Sequence, residues 1–181
     1  MRVVVGYASA HGSTREIAAG VAERLTRAGI GVDLVSMDEL DAIDSYDAAV
    51  LGSAIHNMTW LPEATSFVET HRAELLTLPV WIFSVSSIGD TTSFFSPRIG
   101  HFMGRKRKEP SGITGIRQAI QPRDHRNFAG VVERSHWSLG GRFFLRIFGG
   151  SYGDHRDWPD IQRWADAIAQ QLFTQEKKAT G

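Results

Sequence analysis

The chain has no cysteine among its 181 residues. That excludes disulfides, thiolate metal sites, iron–sulfur clusters and cysteine nucleophiles, and it fits a reducing compartment. No apolar run approaches the ~20 residues of a membrane-spanning helix. The first apolar segment is short and lacks a charged leader and a cleavage pattern, so no signal peptide is expected. The expected location is the cytoplasm, with contact at the inner face of the membrane left open. Net charge is also missing: 20 basic residues face 20 acidic ones. The balance hides an asymmetry. From Arg98 to Arg146 eleven Lys and Arg stand against three acids (Glu109, Asp124, Glu133), a local +8 that the rest of the chain offsets. Such a segment marks a docking place for an anionic partner. Nucleic acid is not expected, because the acidic remainder would repel a phosphate backbone.

What is present is organised around Arg2 to Ala28. Val3, Val4 and Val5 form a continuous β-branched run, as in a parallel strand covered on both faces. After Thr14, Ile17, Ala18, Val21, Ala22 and Leu25 recur at helical spacing, and Gly29 stops the helix. Between them lies Ser9-Ala10-His11-Gly12-Ser13-Thr14. Its hydroxyls and backbone amides, at the positive end of a helix dipole, suit a single phosphate. It is neither a Walker loop nor G-x-G-x-x-G, and it holds no lysine. The alternative is an ordinary βα turn whose Ser and Thr cap the helix.

Further strands are expected over Ile30–Val35, Asp47–Gly52, Pro79–Val85 and Phe128–Val132, with a helix after Pro62 and a closing helix over Asp157–Phe173 capped by Asp157. The tail 175–181 reads as disordered. Strand and helix alternate as in an α/β fold: a doubly wound, five-stranded parallel sheet with helices on both faces. Ligands sit outside the carboxyl ends of such strands. Three stretches fall there: 9–14, then Ser53, Ala54, Ile55, His56 and on to Trp60, and finally Ser84, Val85, Ser86, Ser87, Ile88, Gly89 and Asp90. All are rich in small and hydroxyl residues that let backbone approach a flat ring.

Ser9-x-x-Gly12-x-Thr14 directly after the first strand resembles the FMN phosphate loop of the flavodoxins. The fuller string SAHGSTREIA is similar to the flavodoxin-type menaquinone-dependent protoporphyrinogen dehydrogenases, where it opens the first helix. The resemblance implies one flavodoxin-like domain over 1–174, FMN as cofactor, and residues 53–60 and 84–90 on the two faces of the ring. Trp60, the only aromatic in either stretch, is the candidate for stacking on the flavin; packing as a staple of the next helix is the alternative.

Two segments exceed a minimal flavodoxin. Thr91–Arg126 carries Phe94-Phe95 and Arg105-Lys106-Arg107-Lys108 and reads as a mobile, helix-containing arm with a cationic tip; a solvated loop is the alternative for the basic run 105–108. Residues 133–157 crowd Trp137, Phe143, Phe144 and Phe148 with Arg142 and Arg146 between paired glycines. That side either buries in the domain or rests on lipid or a hydrophobic substrate. The aromatic–basic insertion, Gly149-Gly150 and the Trp158-led closing helix also resemble the protoporphyrinogen dehydrogenases, whose FMN passes electrons from a porphyrinogen to a quinone. The expected function is therefore an FMN-dependent oxidoreductase acting on a small anionic or quinone-like substrate. An electron carrier docking a redox partner through its basic segment is the second possibility, and a domain that has lost its flavin the third. His56 and His136 are the only candidates for an acid or base. No metal site or nucleophile elbow is visible.

Overall fold

The computed structural model describes residues 1–94, 111–132 and 151–179. In chain order the elements are β1 (Arg2–Ala8), α1 (Ser13–Arg27), β2 (Gly31–Ser36), β3 (Ala48–His56), β4 (Thr59–Trp60), α2 (Pro62–Thr70) and α3 (Arg72–Leu75). There follow β5 (Val80–Ser86), α4 (Ser111–Ile120), β6 (Asp124–Ala129), β7 (Val131–Val132), β8 (Gly153–Asp154) and α5 (Trp158–Ala179). Five strands pair in parallel in the order β2-β1-β3-β5-β6, with β4 antiparallel to the end of β3. This is the expected α/β flavodoxin-like sheet.

The pleat explains why β1 reads as an unbroken apolar run. Val3 and Val5 point into one core, Val4 into the other, and all three are fully buried. On the first face α1 packs Ile17, Val21 and Leu25, and α5 packs Ile161, Trp164 and Ile168, against Val50, Trp81 and Phe83. The second face takes Ala64, Phe67 and Val68 of α2, Leu75 of α3 and Ile113, Ile116 and Ile120 of α4, against Leu51 and Ile82. Helices therefore cover both sides. Pro62 opens α2, and Asp157 Oδ1 accepts from the Asp160 N–H at 3.0 Å, so Asp157 caps α5 as expected.

Several boundaries differ from the sequence reading. The third strand does not stop at Gly52 but runs to His56 and folds back through Asn57 and Met58, both with positive φ (48° and 64°). Residues 53–60 are therefore a β-hairpin rather than an open loop; two positive-φ residues give the turn that matches strand twist. The fifth strand begins at Asp124, not Phe128, because a sheet edge lets Asp124 to Asn127 keep polar side chains partly exposed. Val131–Val132 is a separate strand, paired with β8 in a small antiparallel ribbon. Much of the expected first insertion is body: α4 buries three isoleucines in the core. The closing helix continues to Ala179 through the stretch expected to be disordered. Gln175, Glu176, Lys177 and Lys178 are good helix formers, and the lysines suit the negative end of the dipole. The cationic tip at 105–108 and the aromatic–basic residues 133–150, with His136, lie outside the described residues.

Candidate functional site

All five parallel strands end at the same edge of the sheet, and the chain after β1 turns there directly into α1. Gly12 is the N-cap, with φ 91°, and no side chain caps the helix. The positive φ is the reason for glycine: nothing lies within 4 Å of where a Cβ would stand, so space is not the constraint. The hydroxyls do not cap the helix as the alternative reading had it. Ser9 Oγ accepts the Gly12 N–H at 3.0 Å, and Ser13 Oγ accepts the Val131 N–H at 3.1 Å. An oxygen that accepts from the backbone still has its own O–H to donate. Thr14, only 1% exposed, faces the same space. Hydroxyl donors thus join the uncapped amides of a helix N-terminus, an arrangement that favours an anion.

These residues form one end of a cavity of about 260 Å³. Ser9, Ala10, His11, Ser13 and Thr14 line the α1 side, and Ala54 and Ile55 come from the end of β3. Val85 and Ser86 come from the end of β5 and Ser87 follows it, and Gly130, Val131 and Val132 come from the segment beyond β6. The cavity is polar at the helix and largely aliphatic along the other walls. His11 is the one ionisable side chain among these lining residues. No cluster that could hold a metal occurs among the described residues, and no described helix is long and apolar enough to cross a membrane.

Ten of the expected site residues meet around this cavity; others do not. Trp60 is 1% exposed and packs in the second core beneath the hairpin, so it does not stack on a ligand. Its Nε1–H donates to Ser84 Oγ at 2.9 Å, and that oxygen also lies 2.9 Å from His125 Nε2. Ser53 Oγ, fully buried, accepts the Leu61 N–H at 3.1 Å. Ser53, Trp60 and Ser84 therefore hold the cavity walls from below. Asp90 is a fastener too: its carboxylate accepts from the Asn127 backbone N–H (2.9 Å) and side-chain amide (3.2 Å), tying residues 88–93 to the edge of β6. Gly89 lies so close to that strand that a Cβ would meet Ala129 N at 2.5 Å. His56, exposed near the hairpin turn, is not among the lining residues.

The wall missed from the sequence is Gly130–Val132. The signal was available: the fifth strand ends at the same edge as the others, so the loop after it faces the same space. This wall is anchored at its start by the Gly130 N–H, which donates to Ser86 O at 3.0 Å, and again further along. Besides the Ser13–Val131 bond, Arg156 grips Asp154 of β8 in a two-pronged pair (Nε–Oδ1 2.8 Å, Nη2–Oδ2 2.7 Å) and pairs with Glu16 of α1. The Arg156 side chain is 10% exposed and lies over the Trp158 ring at 4.8 Å. Its hydrogen bond to Asp154 raises the guanidinium pKa and holds the carboxyl below its ordinary value.

The chain is 23% identical to protoporphyrinogen IX dehydrogenase [quinone] of Escherichia coli K12, over 93% of this chain and 95% of that protein. A flavodoxin from the domain Archaea superposes with a TM-score of 0.61 at 14% identity, covering 95% of this chain and 99% of that one. Rubredoxin oxygen:oxidoreductase of Desulfovibrio gigas gives 0.58 at 15% identity over 96% of this chain, which spans 36% of that larger protein. The flavodoxin-domain family model matches residues 4–149. The strand order and the loop at α1 agree with that match, and the chain belongs to the flavodoxin domain family.

Proposed function

We propose that the protein is an FMN-dependent oxidoreductase that takes electrons from a porphyrinogen-like donor and passes them to a quinone. The observation that carries the reading is the join between the uncapped α1 N-terminus and an aliphatic-walled cavity of about 260 Å³. That join matches a ligand with a phosphate at one end and an apolar ring at the other. Ser9, Ser13, Thr14 and the first amides of α1 would hold the phosphate. Ala54, Ile55, Val85, Ser86 and Ser87 would flank the remainder. When bound, FMN supplies reversible electron transfer, and the protein supplies position and a dry wall. The distant similarity to a quinone-dependent dehydrogenase over 93% of the chain favours an enzyme over a carrier. The basic segment 98–146 suits an anionic donor, since guanidinium groups pair well with carboxylates.

Flavin fluorescence during titration of the flavin-stripped protein tests the first half of the proposal. Saturation at one FMN per chain is expected, with affinity lowered about tenfold in Thr14→Ala, the loss of one hydrogen bond to a charged group. An absence of quenching overturns the flavin reading. Oxidation of protoporphyrinogen with menaquinone present tests the second half. Turnover by the isolated protein supports the enzyme, whereas FMN binding with turnover only on adding a protein partner makes it a carrier.

A further inference from the structure

The cavity has a fourth wall that the sheet itself does not provide. Val131 and Val132 belong to the β7–β8 ribbon, whose pairing consists of Val131 with Asp154 and Val132 with Gly153. Two strands of two residues do not hold themselves together in water. The ribbon is held from outside: at its base by Thr92, whose hydroxyl donates to His155 O at 2.7 Å, and along its length by the first turn of α1. Ser13 accepts the Val131 N–H, and three residues along, on the same side of the helix, Glu16 meets Arg156. Arg156 in turn grips Asp154, the partner of Val131 across the ribbon. Behind it Trp158 lies under the guanidinium and fills the space beside Gly20 of α1, where a Cβ would come within 2.8 Å of the indole.

We propose that Arg156 is a positioning residue for the cavity: by clamping the ribbon to α1 it sets the aliphatic wall at Val131–Val132 and so makes the site select an amphiphilic phosphomonoester over bare phosphate. Arg156 itself is not among the lining residues. Its action passes through β8 and β7 to the wall. The anion end of the cavity does not depend on it, because Ser9, Ser13, Thr14 and the α1 amides are placed by β1 and by the helix, and Ser13 only accepts from the ribbon. Loss of the clamp frees the wall and leaves that anion end as it is. The inference rests on the flavin reading above.

The test compares affinities for two probes, FMN by fluorescence quenching and inorganic phosphate by calorimetry, in wild type, Arg156→Gln, Arg156→Lys, Glu16→Gln and Asp154→Asn. Glu16 and Asp154 are exposed (62% and 47%), so their amide variants keep the fold even where Arg156→Gln does not. Arg156→Gln is expected to weaken FMN about tenfold and to change phosphate affinity less than about twofold. Arg156→Lys, which keeps the charge but not the two-pronged grip, falls between Gln and wild type. Each carboxylate variant gives a smaller loss of the same selective kind. A merely structural role lowers both affinities together, and that result overturns the proposal. Unchanged FMN affinity in all four folded variants overturns it as well. Wild-type protein that fails to quench FMN overturns the flavin reading, and the two failures are thereby told apart.

Discussion

The indole N–H of Trp60 and the hydroxyl of Ser84 lie 2.9 Å apart, sealed from solvent between the hairpin and β5. An indole only donates, so Ser84 is the acceptor that lets this ring be buried. Ser84→Ala orphans the indole N–H and is expected to cost about 1–3 kcal/mol of stability. Trp60→Phe combined with Ser84→Ala should cost less than the sum of the single changes. Urea unfolding of the four proteins measures the coupling, and strict additivity would mean that the pair does not act as a unit.

Gly52 lies beneath the ring of Phe83, where an added Cβ would stand 1.9 Å from Cζ. Phe83 is fully buried between Phe128 and Trp164, so the ring has nowhere to swing. Gly52→Ala is expected to lose about 3 kcal/mol or more. Recovery of part of that loss in a Gly52→Ala, Phe83→Leu double variant, read by chemical denaturation, would identify the ring as the cause.

Met58 holds φ 64° at the tip of the β3–β4 hairpin and is 59% exposed. A side chain with a Cβ pays for that conformation about 1–2 kcal/mol, and this one recovers little through burial. Asn-Gly is the sequence such a turn prefers. Met58→Gly should raise Tm by roughly 2–4 °C for each kcal/mol gained. A lower Tm would show that the thioether makes contacts that outweigh the strain.

The carboxyls of Asp154 and Asp166 are both held below their ordinary value of 3.8, chiefly by hydrogen bonds from Arg156 and Arg24. A depressed folded-state pKa gives stability that is complete above the unfolded value and is lost as pH falls through the folded one. The Arg24–Asp166 pair is exposed on both sides, so its contribution is small and salt-sensitive. The stability gap between wild type and Asp166→Asn should stay level from about pH 5 to 8 and close below about pH 4. A gap that widens on acidification contradicts this linkage.

The sheet was legible because its signals are local. Val3–Val5, the helical spacing from Ile17 to Leu25 and the loop between them each sit within a few residues, and each predicts its element. The same proximity made the α1 end of the cavity readable. Trp60 was not readable in this way, since an aromatic near a strand end has the same local pattern whether it stacks on a ring or buries under a hairpin. Asp124 to Asn127 fall outside the expected fifth strand because an edge strand has no need of an apolar face. Glu16 and Arg156 meet across 140 residues of chain, a separation that no period or motif records.

The bond between Ser13 and Val131 joins residues 118 apart in sequence. Closing so long a loop costs entropy that local contacts do not offset. The two ends of the cavity are therefore expected to meet late in folding, a low φ-value at Val131 being the check. A ligand that needs this wall as well as the anion end would bind the finished molecule and stabilise it alone.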